Sequence, residues 1–93
     1  MKLVLNKCFG GFGISDSAAE ILGIDEYVFY DSIDRDDKNL IALIDEKGSD
    51  FVNGPFARLE IVEIPDSYTD YTIDEYDGME RVIYVVNGKL HYA

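Results

Sequence analysis

One cysteine, one histidine and eight basic residues are all that this 93-residue chain offers to thiol, imidazole or cationic chemistry. The lone Cys8 cannot close an internal disulfide, which fits a reducing, cytosolic setting. Zinc sites draw three or four ligands from cysteine, histidine and carboxylates, so a zinc centre here would lean almost wholly on acids, and no metal or cofactor is expected. Against the eight bases stand nineteen acids, a formal charge of −11 and a pI near 4.2. The bases are scattered singly, whereas grip on phosphate backbones or anionic lipid needs them clustered and in surplus. Direct binding of nucleic acid or of a membrane surface is therefore not expected. No run of eighteen apolar residues exists to span a bilayer. The opening MKLVLNKCF is a poor leader, since Asn6 and Lys7 interrupt its apolar stretch. Repeats, low-complexity tracts and Pro/Ser-rich linkers are missing too, so residues 1–93 read as one domain.

What is present is enough to fold. Leu, Ile, Val and Phe make up 29 of the 93 residues, above the roughly 20% below which acidic chains stay disordered. A chain of this size buries only about 60–65% of its unfolded surface, so most of those residues must share a compact core. Residues 2–8 read as a strand with Leu3 and Leu5 on one side and Val4 on the other. Gly10, Gly11 and Gly13 break it around Phe9 and Phe12, which are expected to plug the core. Ser17 and Glu20 have capping-box spacing and Gly23 suits a C-cap, predicting a short helix. Residues 27–30 suit a short strand. Asp34, Asp36 and Asp37 offer N-cap oxygens to a second helix, whose Leu40, Ile41, Leu43 and Ile44 follow helical periodicity up to Lys47 and Gly48.

Beyond a predicted loop, Ser49–Pro55, the period changes to two. Residues 57–64 read as a strand whose adjacent Ile61 and Val62 suggest a bulge or a switch of buried face. Residues 69–75 alternate again, Asp77-Gly78 is a turn dipeptide, and Glu80–Val86 suits a central strand. Asn87-Gly88 is a strong hairpin signal, folding Lys89–Tyr92 back as a last strand. The expected class is α+β: an antiparallel sheet of four to five strands with two helices packed on one face.

Three stretches, LVLNKCFGGFGIS (3–15), NGPFARLEIVEIPD (53–66) and IDEYDGME (73–80), resemble a family of small acidic proteins from phages and prophages of Gram-positive bacteria. The resemblance implies action inside a bacterial cytoplasm and carries no catalytic or binding residue across.

Most chemical constellations have a simpler structural reading. Phe9–Gly13 sits between a strand and a helix, as a phosphate-cradling loop does, but lacks the Lys-Ser/Thr of a P-loop and the G-x-G-x-x-G spacing. Counting from Asp34, the sixth and twelfth positions of an EF-hand would fall on Asn39 and Asp45, not Gly and Glu, so helix capping accounts for those acids. Nothing marks Cys8 and His91 as an activated pair, and carboxylates are too abundant for any two to signal hydrolysis. The chain is read as a binding protein, not an enzyme.

Its candidate site is the acid-rich stretch with eight carboxylates between Glu60 and Glu80. A period of two places Tyr68, Asp70, Thr72, Asp74 and Tyr76 on one face, with Tyr71 and Ile73 opposite. Carboxylates two apart on a strand sit roughly 6.6 Å from each other, about two phosphate steps of a nucleic-acid strand. With the phage resemblance, this points to an inhibitor that occupies the nucleic-acid groove of a basic host defence protein, such as a CRISPR effector. Asp70, Asp74, Glu75, Asp77 and Glu80 would supply charge, and Tyr68 and Tyr76 the anchors. The alternative is a phage accessory or assembly module that self-associates through its sheet, for example as a homodimer.

Overall fold

The computed structural model describes residues 1–24 and 33–93. Within them the chain runs β1 (Lys2–Asn6), α1 (Asp16–Leu22), α2 (Lys38–Lys47), α3 (Ser49–Val52), β2 (Leu59–Glu63), β3 (Asp70–Tyr76), β4 (Met79–Val86) and β5 (Lys89–Tyr92). The strand predicted at 27–30 lies outside the described residues. The class is α+β and every strand pair is antiparallel. The expected single sheet, however, is two: a ribbon of β1 and β2, and a separate meander in the order β3-β4-β5.

The helices are cut by their caps. Asp37 accepts from the Leu40 amide at 2.9 Å and opens α2, and Gly48, at φ 86°, closes it. The cap of α1 is Ser15 rather than Ser17: its Oγ accepts from the Ala18 amide at 3.1 Å and its hydroxyl donates to the Phe51 carbonyl at 2.8 Å. That second bond ties α1 to α3, a one-turn helix in what the sequence presents as a loop. Three helices, not two, therefore cover one face of the ribbon.

The ribbon is the middle layer. Val4, Leu59 and Ile61 pack with Ala18, Leu40, Leu43, Ile44 and Val52 beneath the helices. Leu3, Leu5, Val62 and Ile64 pack on the other side with Val82, Tyr71, Ile73 and Tyr84 of the meander. This double burial explains the adjacent apolar pair without a bulge, since pairing runs unbroken from Lys2↔Glu63 to Asn6↔Leu59. Ile61 and Val62 are both apolar because each faces a different core.

The two sheets stay separate because Arg35, by backbone and side chain, and the Glu80 carboxylate close the free edge of β1. The Val4 amide donates to the Arg35 carbonyl at 2.7 Å. The Arg35 guanidinium donates back to the Val4 carbonyl, and the Asn6 amide donates to Glu80 Oε1 at 2.8 Å. Arg35 also pairs with Glu80 and lies 3.6 Å from the Phe12 ring centroid. One ion pair thus ends the ribbon and fastens it to β4.

Both meander turns are Asx-Gly pairs with positive φ at each residue: Asp77 at 50° and Gly78 at 89°, Asn87 at 53° and Gly88 at 75°. Those are type I′ hairpins, whose twist matches that of the strands. Gly78 has a second role. A Cβ there would stand 2.3 Å from the Gly10 carbonyl oxygen, and one at Gly10 would stand 1.8 Å from that of Phe56. The glycine loop is thus a site of close backbone packing, with the Gly11 amide donating to the Phe56 carbonyl at 3.0 Å.

Candidate partner-binding face

Register sorts the meander into two faces. Opposed pairs Asp70↔Val85, Thr72↔Ile83, Asp74↔Arg81 and Tyr76↔Met79 share one face, joined by Leu90 opposite Val85 and Tyr92 opposite Ile83. The other face carries Tyr71, Ile73, Val82 and Tyr84 toward the ribbon. The outer face therefore does gather Asp70, Asp74 and Tyr76, with Asp77 in the adjoining turn.

Three predicted site residues are off this face: Glu80 and Glu75, opposed in register, take the opposite side of the meander, and Tyr68 lies before the strand. Glu80 is buried, its side chain 7% exposed against 14% for Arg35. It alternates in phase with Val82 and Tyr84, so it faces inward and serves the β1 edge. Tyr68 precedes β3, and the chain bends at Thr69, so the period of two does not extend back to it. Its ring meets Tyr71 edge-on, with centroids 5.5 Å apart, on the inner side. Glu75, opposite Glu80 in register, is exposed, and its carboxylate accepts the Gly78 amide across the turn.

The outer face is less acidic than a row of carboxylates. Arg81 binds Asp74 at 3.2 Å and lies 4.9 Å from the centroid of the Tyr92 ring. Asp70 and Asp74, four residues apart, are separated by about 13 Å of strand, with Thr72 between them. What dominates instead is apolar surface. Tyr76 is 78% exposed, Leu90 61% and Tyr92 57%, and Ile83 and Val85 are half-buried between them. Phe9, expected in the core, is 65% exposed. It lines an open groove of about 650 Å³ with Tyr76, Met79, Tyr92, Glu75 and Asp74. Only Phe12 turns inward, against the helical core.

Sequence reasoning thus missed Phe9, Met79, Leu90 and Tyr92. Leu90 and Tyr92 were findable, because period two from the Asn-Gly turn sets them on the face of Ile83 and Val85. Phe9 leaves no local signal, since only the packing of Gly10 against Phe56 turns it outward.

Elsewhere the polar groups are engaged. The Cys8 thiol donates to Asn6 Oδ1 at 3.4 Å and to the Phe56 carbonyl at 3.3 Å. His91 stacks on Tyr84 with centroids 5.2 Å apart. Among the described residues no three His, Cys, Asp or Glu side chains are placed to hold a metal ion. No described helix is long and apolar enough to cross a membrane. Burial, with Asp36, Tyr68 and Asp34 nearby, pushes the Tyr71 phenol above its usual pKa. The N-terminal ammonium, 2.8 Å from Asp66, holds that carboxyl below its usual value. Comparison with protein families, with characterised proteins and with solved structures finds no match to this chain.

Proposed function

We propose that this chain is a protein-binding module that docks through the outer face of β3-β4-β5 onto a basic, nucleic-acid-binding protein and blocks its groove. The observation that carries the reading is the convergence of Phe9, Tyr76 and Tyr92 on one groove, lined also by Asp74 and Glu75 and by Lys7 and Arg81. Aromatic side chains dominate interface hot spots, and tyrosine is enriched there. A molecule this small gains most by burying its large apolar side chains, yet it leaves these three more than half exposed.

Charge selects the class of partner. At −11 the chain repels acidic surfaces and is steered toward basic ones. Asp70 and Asp77, exposed and in no ion pair among the described residues, flank the aromatic patch, and Asp74, already held by Arg81, contributes little net attraction. Anchoring therefore falls to the rings and steering to the flanking acids, a different division from a row of phosphate-like carboxylates. The resemblance to acidic phage proteins makes a host defence protein the natural target.

The test is recovery of a basic partner by the tagged chain, followed by titration of the purified pair. Affinity should fall as salt rises, duplex DNA should compete, and Tyr76→Ala with Phe9→Ser should cost at least about thirtyfold in Kd, the size of one hot spot. Asp70→Lys with Asp77→Lys should slow association. Unchanged affinity in both double variants would sink the proposal.

A further inference from the structure

The edge of the meander formed by β5 is built to be extended. Val82 and Ala93 exchange both backbone hydrogen bonds, each at 2.9 Å, which sets the phase of the β4–β5 ladder. In an antiparallel pair alternate residues bond inward, so His91 bonds to β4 while Leu90 and Tyr92 aim their N–H and C=O groups away from it. Among the described residues no backbone group meets these four. All four residues of β5 are exposed, so this strand is wet on both faces and on its edge.

Proteins blunt such edges with proline, bulges, inward charges or a covering element, and among the described residues β5 has none of these devices beyond Lys89 at its start. It differs from β3 in charge as well. The β3 edge carries Asp70, Asp74 and Glu75, whereas β5 carries Lys89 and His91 and no acid. On a chain of net charge −11, it is the one strand of the meander along which two copies meet without opposing carboxylates. A basic partner gains nothing there.

We propose that β5 pairs antiparallel with β5 of a second copy about a two-fold axis at His91, joining two meanders into one six-stranded sheet. Pairing Leu90 with Tyr92 of the other copy, and the reverse, uses all four open backbone groups in each chain. It also sets an aliphatic side chain against an aromatic one twice, a stabilising cross-strand combination. Both pairs lie on the outer face, so the apolar surface of Ile83, Val85, Leu90 and Tyr92 becomes continuous across the axis. The contact is isologous, as two-fold dimers require. It stands apart from the docking reading, which survives if the chain is a monomer.

Sedimentation equilibrium on the full chain from about 20 µM to about 1 mM tests it, a range suited to Kd values of about 40–200 µM. The expected species is twice the 10.5 kDa chain mass. Its fraction should rise with concentration and with salt, because salt screens the repulsion between two acidic bodies. In dilute solution, where the chain is a monomer, Leu90→Lys should leave the circular dichroism and melting temperature unchanged; across the concentration range it should weaken the dimer about tenfold or more, since like charges then crowd the axis. Amide exchange at Leu90 and Tyr92 should slow as concentration rises, a readout that needs no variant and decides the matter if Leu90→Lys fails to fold. A monomer at the highest concentration, a dimer indifferent to Leu90→Lys, or a dimer with both amides exchanging freely would each overturn the proposal.

Discussion

The free edge of β1 and the free edge of β5 present the same problem, a row of backbone groups without a neighbouring strand. The molecule answers it in opposite ways. At β1 the groups are met by the Arg35 carbonyl, the Arg35 guanidinium and the Glu80 carboxylate, and the strand is buried from Leu3 to Asn6. At β5 nothing among the described residues meets them, and every side chain is exposed. The inner ribbon uses an ion pair to finish the fold. The outer meander leaves its edge strand and aromatic surface exposed.

Adjacent residues on β4 sharpen this contrast, because Glu80 and Arg81 each form an ion pair on opposite faces. Glu80→Ala leaves the part-buried Arg35 charge without its counter-ion and the Asn6 amide without an acceptor, a loss of about 3–5 kcal/mol. That approaches the whole stability of a small domain, so urea titration should find the variant largely unfolded or its midpoint sharply lowered. Asp74→Ala breaks the half-exposed pair with Arg81, where solvent screening limits the loss to about 1 kcal/mol or less. Similar midpoints for the two variants would erase the distinction between the faces.

The two hairpin turns allow a comparable test of backbone. Gly78 and Gly88 both hold positive φ, but only Gly78 has a carbonyl 2.3 Å from its would-be Cβ. Gly88→Ala adds left-handed strain alone, about 1–2 kcal/mol. Gly78→Ala adds overpacking against Gly10 and should lose about 2–4 kcal/mol in the same titration. Equal losses would mean that the Gly10–Gly78 contact yields readily and that the glycine loop is not a packing device.

How far the sequence discloses this molecule depends on whether a feature is local. The Asx-Gly turns, the Asp37 cap and the Leu40–Ile44 periodicity are each written in a few consecutive residues, and each is found where it is expected. The split into two sheets is not, because it depends on Arg35 reaching β1 and Glu80 across 31 and 45 residues of chain. Glu80 looks like one more acid in an acidic stretch, and only its alternation with Val82 and Tyr84 hints that it faces inward. α3 is a single turn, too short for any period to show. In the candidate site, the tyrosine at 76 and the acids at 70 and 74 follow from strand alternation, and Asp77 follows from the Asp-Gly turn dipeptide. The exposure of Phe9 follows only from tertiary packing.

The smallest expected effects concern pH, and they too separate inside from outside. Tyr71 lies on the inner face and its phenol is pushed above the ordinary 10.0, chiefly by burial and next by Asp36. From about pH 10 upward the unfolded chain releases this proton before the folded one does. The unfolded state then holds fewer protons, so stability declines through the raised pKa. Tyr71→Phe should flatten that alkaline decline while leaving neutral stability little changed. Asp66, fully exposed, is held below 3.8 by its hydrogen bond to the N-terminal ammonium. Here the sign reverses: the stabilisation is complete above 3.8 and is lost as pH falls through the lowered value. Asp66→Asn should remove a small part of the acid limb, and salt should shrink the difference because the pair is bathed in solvent. An acid limb unchanged by Asp66→Asn, beside an alkaline limb flattened by Tyr71→Phe, would show that only the inner face couples protonation to folding.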